Sequence, residues 1–595
     1  MNDTAPPPRY LVGRGIADIT GEPAECGMLG YGQAHQRTTG IHLRLRSRAF
    51  VFVDTQTDRR VVLSINEVPL LIDTLHAGVL KRLTSHYVDL YDDANVVLTA
   101  THTHCGPGGY SHHRLYNSNT GGFRPATYEA IVGGIVDAIH MAHDDVAPAS
   151  LALGFAELHD ASVNRSPGSF ARNPEADRAH FPAAIDPQTT TLAIERDGEA
   201  VGAINWFPTH GTSMTNRNTL ISSDNKGYAA WAWERLDHDV DYRADRRKPP
   251  TFVGAFAQTN TGDMSPNLDR GPGSGPTAEE FTNTRLIGQR QLDAARTGLD
   301  DAEPIDGPIG SAVLWVDLSD QTVGAPYTPD GATHRTGPPA AGAAAFAGTD
   351  EGPAFPGFEQ GVDNNRVVGA ISRRVVYPLS KRLAEAHAPK AIVVPPAIAA
   401  QMVDLSLVPV QLVQLGSLYL VTIPGEVTIV AGLRIRRRVA QILGVELAHV
   451  LIAGYSNGYI HYVTTPEEYT AQRYEGGSTM FGRWQQPALE QIAARLAEAM
   501  IDGHTLESGM PSGDKRPPRA ARPHTTPDAA PAGARLGDVV TPPRSTYRPG
   551  DRVRAVFAGT YPNNDLRTGD TYLLIERRGN ADGDQATDVW TAIAD

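Results

Sequence analysis

Short apolar runs alternate along this chain with stretches in which apolar residues recur every three or four positions. The runs at residues 48–53, 61–65 and 95–99 predict buried strands. Residues 488–501 place their apolar side chains at the helical period and predict an amphipathic helix with one buried face. Because strands and helices alternate from residue 10 to about residue 505, the pattern indicates an α/β fold.

The periodicity is lost near residue 510. Residues 510–535 are rich in proline, alanine, arginine and glycine, which is typical of a linker. Alternating apolar and polar positions return at residues 552–557 and 571–576 and predict strands separated by turns. The chain therefore divides into a large α/β part, a linker and a small β part.

The candidate chemistry lies where predicted strands end. His102 and His104 follow the run at residues 95–99 and precede a glycine-proline turn. If the chain stays extended there, residues i and i+2 share a face, so both imidazoles point into one site. Two further predicted strands end at His210 and at Glu426, and a tyrosine-rich segment ends another. Imidazole nitrogen and carboxylate oxygen are zinc ligands, but these positions are far apart in sequence, so ordinary structural roles stay open for each.

A series of motifs, in consistent order, favours functional over ordinary structural roles for these residues. They lie at residues 13–21, 101–109, 164–167, 208–213, 220–227, 260–267 and 467–475. Together they resemble the neutral ceramidase family. The resemblance implies a zinc amidase that splits ceramide into sphingosine and a fatty acid.

Carried over position by position, the resemblance implies four ligands for one zinc ion per chain: His102, His210, Glu426 and Tyr462. Tyr459 is the alternative to Tyr462 within the same short run. One departure is Cys105, which follows the histidine pair where the family usually has serine. Its thiol could perturb the site or simply pack against it.

The resemblance also implies a catalytic set: Ser265, His104, Arg165, Tyr474 and Tyr469. His104 would face the substrate, where a neutral imidazole could protonate the departing nitrogen. Hydroxyl and guanidinium donors from Ser265, Tyr474 and Arg165 could stabilise the oxyanion. Ser265 as nucleophile is the rival mechanism; because Pro266 follows it directly, the motif is not the Gly-x-Ser-x-Gly elbow, and we favour attack by zinc-bound water.

The same resemblance assigns the domains. We expect an amidase catalytic domain at residues 1–509, a linker at 510–535, and an immunoglobulin-like β domain at 536–595. A sandwich of that kind usually needs about 100 residues, so we expect the β domain to be incomplete. Two alternatives stay open: a zinc amidase acting on another N-acyl lipid, and a non-catalytic protein that binds lipid or a surface with the same fold.

Charge and composition limit the partners. The net charge of −14 argues against a nucleic-acid partner and against simple adsorption to anionic lipid. We expect ceramide or a related N-acyl sphingolipid as substrate, met at a transient membrane or micelle surface. Two cysteines are too few for a disulfide scaffold. The first residues show no signal peptide and no run is long enough for a transmembrane helix, so the compartment, cytoplasmic or reached by an unseen export route, is undetermined.

Overall fold

A mixed β-sheet forms the centre of the molecule. The computed structural model describes residues 8–243, 248–352, 354–405, 407–504, 506, 516–521, 526–578 and 590–594. Within these residues the largest sheet has nine strands, in the spatial order Val253–Ala257, Glu199–Trp206, Gln188–Arg196, Ala147–Glu157, Tyr10–Asp18, Arg46–Asp54, Arg60–Asn66 and Val96–Ala100, with Glu303–Pro304 paired to Ala147–Glu157. The first and the last neighbouring pairs in this order are parallel, and the other pairs are antiparallel.

Two four-stranded sheets complete the main framework. One has the order Ile309–Val316, Val408–Leu415, Leu418–Thr422 and Val450–Ala453; the other has the order Leu220–Ile221, Arg37–Ile41, Ala24–Leu29 and Gly106–Pro107. Short two-stranded pairs join Val163–Asn164 to Met264–Ser265, Thr322–Val323 to His334–Arg335, Ala341–Gly342 to Ile392–Val394, Glu426–Val427 to Tyr462–Val463, Val539–Thr541 to Val556–Phe557, and Ile575–Arg578 to Trp590–Ala594.

Helices cover the faces of these sheets. The longer α-helices are Asp73–Tyr87, Pro125–Asp144, Asp224–Ala232, Glu280–Asp300, Ile429–Leu443 and Gln485–Asp502. The shorter ones are Arg114–Asn117, Pro167–Phe170, Glu175–Arg178, Ala343–Phe346, Arg366–Ile371, Tyr377–Leu379, Lys381–His387, Pro396–Met402, Pro466–Ala471 and Tyr474–Ser478. Trp233–Asp237 and Ser372–Val376 are π-helical, and Leu318–Asp320, Ala325–Tyr327, Leu447–His449 and Pro562–Asn564 are 3₁₀ turns.

The α/β prediction is confirmed. The run at residues 95–99 forms the buried strand Val96–Ala100, and residues 488–501 lie in the helix Gln485–Asp502. That helix ends at Gly503, whose φ of 66° gives the left-handed cap that a side chain would strain. No helix within the described residues has both the length and the apolar character needed to cross a bilayer.

The prediction that His102 and His104 lie on an extended strand is wrong. The strand ends at Ala100, and His102 has a φ of 64°, in the left-handed region that non-glycine residues seldom adopt. The chain is turned there by tertiary hydrogen bonds, which a sequence pattern does not reveal: the N–H of Thr101 donates to Asn66 O at 2.9 Å and that of His102 to Val68 O at 3.2 Å. The two imidazoles meet through this turn and not through strand alternation.

Turns of the C-terminal part contact the first part of the chain. Ala24 N donates to Asn563 Oδ1 at 3.0 Å, and Gly569 N donates to Asp18 Oδ2 at 2.7 Å. Of the predicted linker, residues 516–521 and 526–535 are described, and the remainder lies outside the described residues. Ala521 N donates to Phe123 O at 2.8 Å, so part of this segment lies on the α/β domain. The boundaries at 509 and 536 stay predictions.

A candidate metal centre at the strand ends

Three buried histidines come together where separate strands end. Ring nitrogens of His102, His104 and His210 all lie within 4.8 Å of one another, a group that could hold a metal ion. His102 Nε2 lies 3.0 Å from His104 Nε2. Glu426 closes the group, because its Oε2 lies 3.4 Å from His102 Nε2 and 3.2 Å from His210 Nε2. The structure thus brings together His102, His210 and Glu426, three of the four ligands that the resemblance implies.

Backbone carbonyls fix the orientation of two of these rings. His102 Nδ1 donates to Pro69 O at 2.7 Å, and His210 Nδ1 donates to Met264 O at 2.8 Å. With the proton held on Nδ1, each Nε2 keeps a lone pair directed at the centre of the group. This is the arrangement expected of metal-binding imidazoles, so the residues present fit a metal ion.

His104 differs from the other two rings. Its Nδ1 is buried and has no hydrogen-bond partner within the described part of the chain. Burial, with the neighbouring His102 and His210, holds the pKa of His104 well below its usual value. Burial likewise lowers the pKa of His210 to about 4. Both rings are therefore neutral near pH 7, the form in which imidazole binds metals.

Two tyrosines hold Glu426 in place. The hydroxyl of Tyr455 donates to Glu426 Oε2 at 3.2 Å, and that of Tyr459 donates to Oε1 in a short hydrogen bond. Both carboxylate oxygens of Glu426 accept a hydrogen bond from these hydroxyls, which favours the charged form. The carboxylate is therefore ionised. The sequence prediction did not assign Tyr455 or Tyr459 to this position, although the density of tyrosine at residues 455–462 was a usable signal.

Tyr462 reaches the site through the backbone and through Arg165. The two-residue strand Tyr462–Val463 pairs in parallel with Glu426–Val427, so Tyr462 lies beside Glu426 in register. Its hydroxyl accepts a hydrogen bond from Arg165 Nη2 at 2.9 Å. The ring of Tyr474 lies 5.2 Å from that of Tyr462, centroid to centroid. The structure thus brings Tyr462, Tyr474 and Arg165 into one cluster beside Glu426.

Arg165 is held by carboxylates from two later segments. Its Nε lies 3.1 Å from Glu475 Oε1, and its Nη1 lies 3.1 Å from Glu351 Oε2. Glu351 also accepts from Asn267 Nδ2 at 2.9 Å. Residues 333–357, which are rich in glycine and alanine, therefore send one carboxylate inward to the guanidinium that meets Tyr462.

Ser265 is wholly buried next to these groups. Its hydroxyl oxygen accepts a hydrogen bond from Asn267 N at 3.0 Å. Ser265 lies in the two-residue strand Met264–Ser265, which pairs with Val163–Asn164. It therefore follows Met264, whose carbonyl orients His210, and lies close to Arg165, which follows the paired strand. That bond occupies only a lone pair of the oxygen, so the hydroxyl proton can still be donated to a bound oxygen.

Tyr469 occupies a different environment. Its hydroxyl donates to His387 O at 2.9 Å, and its ring centroid lies 5.2 Å from Lys390 Nζ. The contacts recorded for Tyr469 in the described residues do not include His102, His210 or Glu426. The structure therefore groups Tyr474, but not Tyr469, with the histidine cluster.

The Cys105 thiol packs in the core. Its sulfur accepts a hydrogen bond from Asn218 Nδ2 at 3.1 Å, and burial raises the pKa of the thiol far above its usual range. A thiol held in its neutral form is a poor metal ligand and a poor nucleophile.

Two residues that the sequence prediction missed cross-link the strand ends. Gln258 Nε2 donates to Thr101 O at 2.9 Å and to Thr209 O at 2.7 Å, the residues immediately before His102 and His210. Lys226 Nζ donates to Phe207 O at 2.8 Å, to Ala257 O at 3.0 Å and to Gln291 Oε1 at 3.1 Å. These side chains act on backbone carbonyls, so no residue pattern in the sequence identifies them.

Known proteins share this architecture along the whole chain. The family model described as neutral/alkaline non-lysosomal ceramidase, N-terminal, matches residues 10–491, and the corresponding C-terminal model matches residues 493–595. The neutral ceramidase of Mycobacterium tuberculosis is 54% identical over 590 residues, which cover 97% of this chain and 91% of that protein. The neutral ceramidase of Pseudomonas aeruginosa is 40% identical over 586 residues, covering 98% and 85%.

Solved structures agree with these matches. A structure described as ceramidase complexed with C2 superposes with a TM-score of 0.87 at 39% identity and covers 99% of this chain and 89% of that one. The crystal structure of neutral ceramidase from Pseudomonas aeruginosa gives a TM-score of 0.84 at 38% identity, with the same coverage. From the family match over both parts of the chain and from these relatives, the chain belongs to the neutral/alkaline non-lysosomal ceramidase family.

Proposed function

We propose that this chain hydrolyses the amide bond of ceramide to sphingosine and a free fatty acid, with one zinc ion at the histidine cluster. Family membership makes it an amidohydrolase. The observation that carries the zinc proposal is the convergence of two Nε2 lone pairs, from His102 and His210, on the buried carboxylate of Glu426. Neutral imidazole with carboxylate is a donor set that zinc prefers.

For the ligand set we propose His102, His210, Glu426 and Tyr462. Tyr459 and Tyr455 already donate to Glu426, which supports an orienting role for them and leaves Tyr462 as the oxygen ligand. His104 lies within reach of the same centre, so its role is the point to be tested. When bound, zinc would lower the pKa of a water ligand towards ~7 and polarise the amide carbonyl.

The surrounding residues would handle protons and developing charge. His104 is neutral and has a free ring nitrogen, so it can pass a proton to the departing amine. The Ser265 hydroxyl and the Arg165 guanidinium are donors for an oxyanion in a buried site, where such donors are strongest. Tyr474, packed on Tyr462, is a further hydroxyl for this purpose.

We assign Ser265 the role of donor and not of nucleophile. The histidines of the cluster face Glu426 or each other, and no contact recorded for the described residues joins His104 or His210 to the Ser265 hydroxyl. A serine nucleophile needs a base in contact with it. For Tyr469, whose hydroxyl is taken by His387 O, we propose that it supports the wall of the site near Lys390.

The partners follow from the substrate. We propose that ceramide, or a related N-acyl sphingolipid, is taken from a membrane or micelle during transient contact, without a nucleic-acid partner. For the C-terminal residues we propose an immunoglobulin-like sandwich, supported by its antiparallel pairs.

The test is a chromatographic assay of purified protein against N-acylsphingosines of several chain lengths and against other N-acyl amides. We expect fatty acid and sphingosine in equal amounts, and loss of turnover after chelation with recovery on adding zinc. Cleavage of another N-acyl amide in preference to every N-acylsphingosine would refute the ceramide assignment. Lipid binding without turnover in the zinc-loaded protein would make the chain a binding protein.

A further inference from the structure

A row of apolar side chains projects into solvent from one short helical segment. In residues 366–379, four large apolar residues recur at intervals of four: Val367, Ile371, Val375 and Leu379. They are 75%, 50%, 52% and 82% exposed, respectively. Single exposed apolar residues are common on protein surfaces, but an aligned row of four is not explained by chance exposure. We refer to these four residues as the apolar stripe.

The helix geometry keeps the stripe straight. The segment runs through the α-helix Arg366–Ile371, the π-helical turn Ser372–Val376 and the α-helix Tyr377–Leu379. At 3.6 residues per turn, a spacing of four drifts by about 40° at each step. The wider π turn drifts in the opposite direction and offsets part of that rotation. The four side chains therefore stay on one face over about three turns.

The opposite face anchors the segment to the domain. Ser372 Oγ accepts from Ile392 N at 2.9 Å, and the buried Tyr377 hydroxyl donates to Lys390 O. The strand Ile392–Val394 pairs in turn with Ala341–Gly342, in the segment whose Glu351 contacts Arg165. The apolar stripe is therefore the outer face of a segment that packs, through Ile392–Val394, on residues 341–342.

The charge around the stripe is opposite to that of the whole molecule. Residues 366–382 contain five basic residues and neither aspartate nor glutamate: Arg366, Arg373, Arg374, Lys381 and Arg382. The segment thus carries +5 in a chain of net charge −14. No ion pair is recorded for Arg366, Arg373 or Arg374 with any described residue. Exposed apolar side chains flanked by unpaired cations are typical of helices that lie in the interface of an anionic membrane.

We propose that the apolar stripe docks this protein onto an anionic lipid surface, with Val367 and Leu379 entering the acyl boundary and the exposed Arg366 and Arg374, each one residue before a stripe residue, meeting lipid phosphates. This deepens and rests on the proposed function, because it names the surface through which the protein would meet a membrane that holds its lipid substrate. It differs from the expectation drawn from net charge, since adsorption depends on the local charge of the contacting segment as well as on the total.

Vesicle sedimentation without substrate tests the apolar part of the proposal. The probe is phosphatidylcholine vesicles with and without phosphatidylglycerol. Val367→Ser combined with Leu379→Ser should lower the partition coefficient about tenfold or more, because two large apolar side chains lose their burial in lipid. The matched control, Leu236→Ser with Val553→Ser, removes comparably exposed residues elsewhere and should change it less than about twofold. Equal losses in the two double variants would overturn the proposal.

A second pair of variants tests the contribution of the arginines to binding. Arg366→Gln with Arg374→Gln should weaken binding to phosphatidylglycerol vesicles about twentyfold and leave binding to pure phosphatidylcholine unchanged. Arg285→Gln with Arg495→Gln, which removes two exposed charges elsewhere, is the control. A lipid-free dimer of the wild type that the apolar variant dissociates would show that the stripe binds a second copy, and would also overturn the proposal.

Failure of the proposed function can be separated from failure of this inference. All four double variants should cleave a water-soluble short-chain N-acylsphingosine at the wild-type rate. The variant that changes two stripe residues and the variant that changes the two arginines beside the stripe should be slow on long-chain substrate embedded in anionic vesicles, whereas both controls should not. If the wild type binds vesicles but cleaves no ceramide, the activity assignment fails and the docking surface stands. If it cleaves soluble ceramide but does not bind anionic vesicles, the docking surface is refuted.

Discussion

Gln258 offers the sharpest test of how the candidate metal centre is held. Its side-chain amide uses both hydrogens of Nε2, one on Thr101 O at 2.9 Å and one on Thr209 O at 2.7 Å, and its Oε1 accepts from Thr261 Oγ1 at 2.6 Å. Thr101 and Thr209 immediately precede His102 and His210. One buried side chain therefore sets the separation of the two loops that carry these imidazoles.

We expect Gln258→Leu to weaken zinc binding, although Gln258 is not itself a proposed ligand. The change leaves the carbonyls of Thr101 and Thr209 without this donor, at about 1–3 kcal/mol each, so the free energy of unfolding should fall by about 2–6 kcal/mol. Relaxation of those loops should move the two imidazoles and lower zinc affinity about 10–100-fold, the range typical of residues that orient metal ligands. Gln258→Glu, which keeps an acceptor for Thr261 but loses both donors, should behave in the same way.

Zinc affinity is measured by competition with a chromogenic chelator, and stability by thermal unfolding of the chelated protein. The control is Gln411→Leu, since Gln411 is also fully buried and bonded to Ala94 O and Asn457, which do not adjoin a proposed ligand. The control should lower stability and leave the zinc dissociation constant unchanged. If both variants lose stability and neither loses zinc affinity, Gln258 is only part of the core and the reasoning fails.

The remaining predictions concern single groups. His102→Ala should lose both zinc and turnover, while His104→Ala should retain zinc by elemental analysis and lose about 10²–10⁴ in kcat; equal zinc loss would make His104 a ligand. Ser265→Ala should cost about 2.7–4 kcal/mol in transition-state stabilisation and leave measurable activity, whereas an acyl adduct on Ser265 seen by mass spectrometry would establish it as nucleophile. Burial lowers the pKa of Lys390 to about 7, so the unfolded chain binds more protons than the folded one above that pH. Relative to Lys390→Met, the free energy of unfolding should rise from about pH 7 to about pH 10; a flat difference in denaturant titrations would contradict it.

The sequence predicted the secondary structure best where burial is continuous. The runs at residues 48–53 and 61–65 are strands of the central sheet. They were recognised because a strand that is buried on both faces consists almost entirely of apolar residues. His210 and Glu426 were proposed as ligands because a polar residue at the end of such a run is conspicuous. Their convergence came from the family resemblance, since spacing along the chain does not specify which strand ends meet.

The rest could not be predicted because it depends on tertiary hydrogen bonds. The positive φ of His102 follows from contacts of Thr101 and His102 with residues 66–68, a different strand end. Gln258 and Lys226 look like ordinary polar residues until their carbonyl partners are known. The apolar stripe was missed because Val367, Ile371 and Leu379 fit the pattern of a buried helix face equally well, and only the structure shows that this face is exposed.

These contacts also imply how the site responds to loss of its metal. Each ligand that we propose is already held by the protein: His102 by Pro69 O, His210 by Met264 O, Glu426 by Tyr455 and Tyr459, and Tyr462 by Arg165. A site held in this way does not need the ion in order to form, in contrast to small zinc domains that fold only on binding metal. Zinc should then stabilise the fold only by mass action, by about 2.7 kcal/mol at a free concentration one hundred times its dissociation constant. We therefore expect the chelated protein to stay folded by circular dichroism and to regain full activity on adding zinc; unfolding upon chelation would show that the hydrogen bonds around the site are too weak to hold it alone.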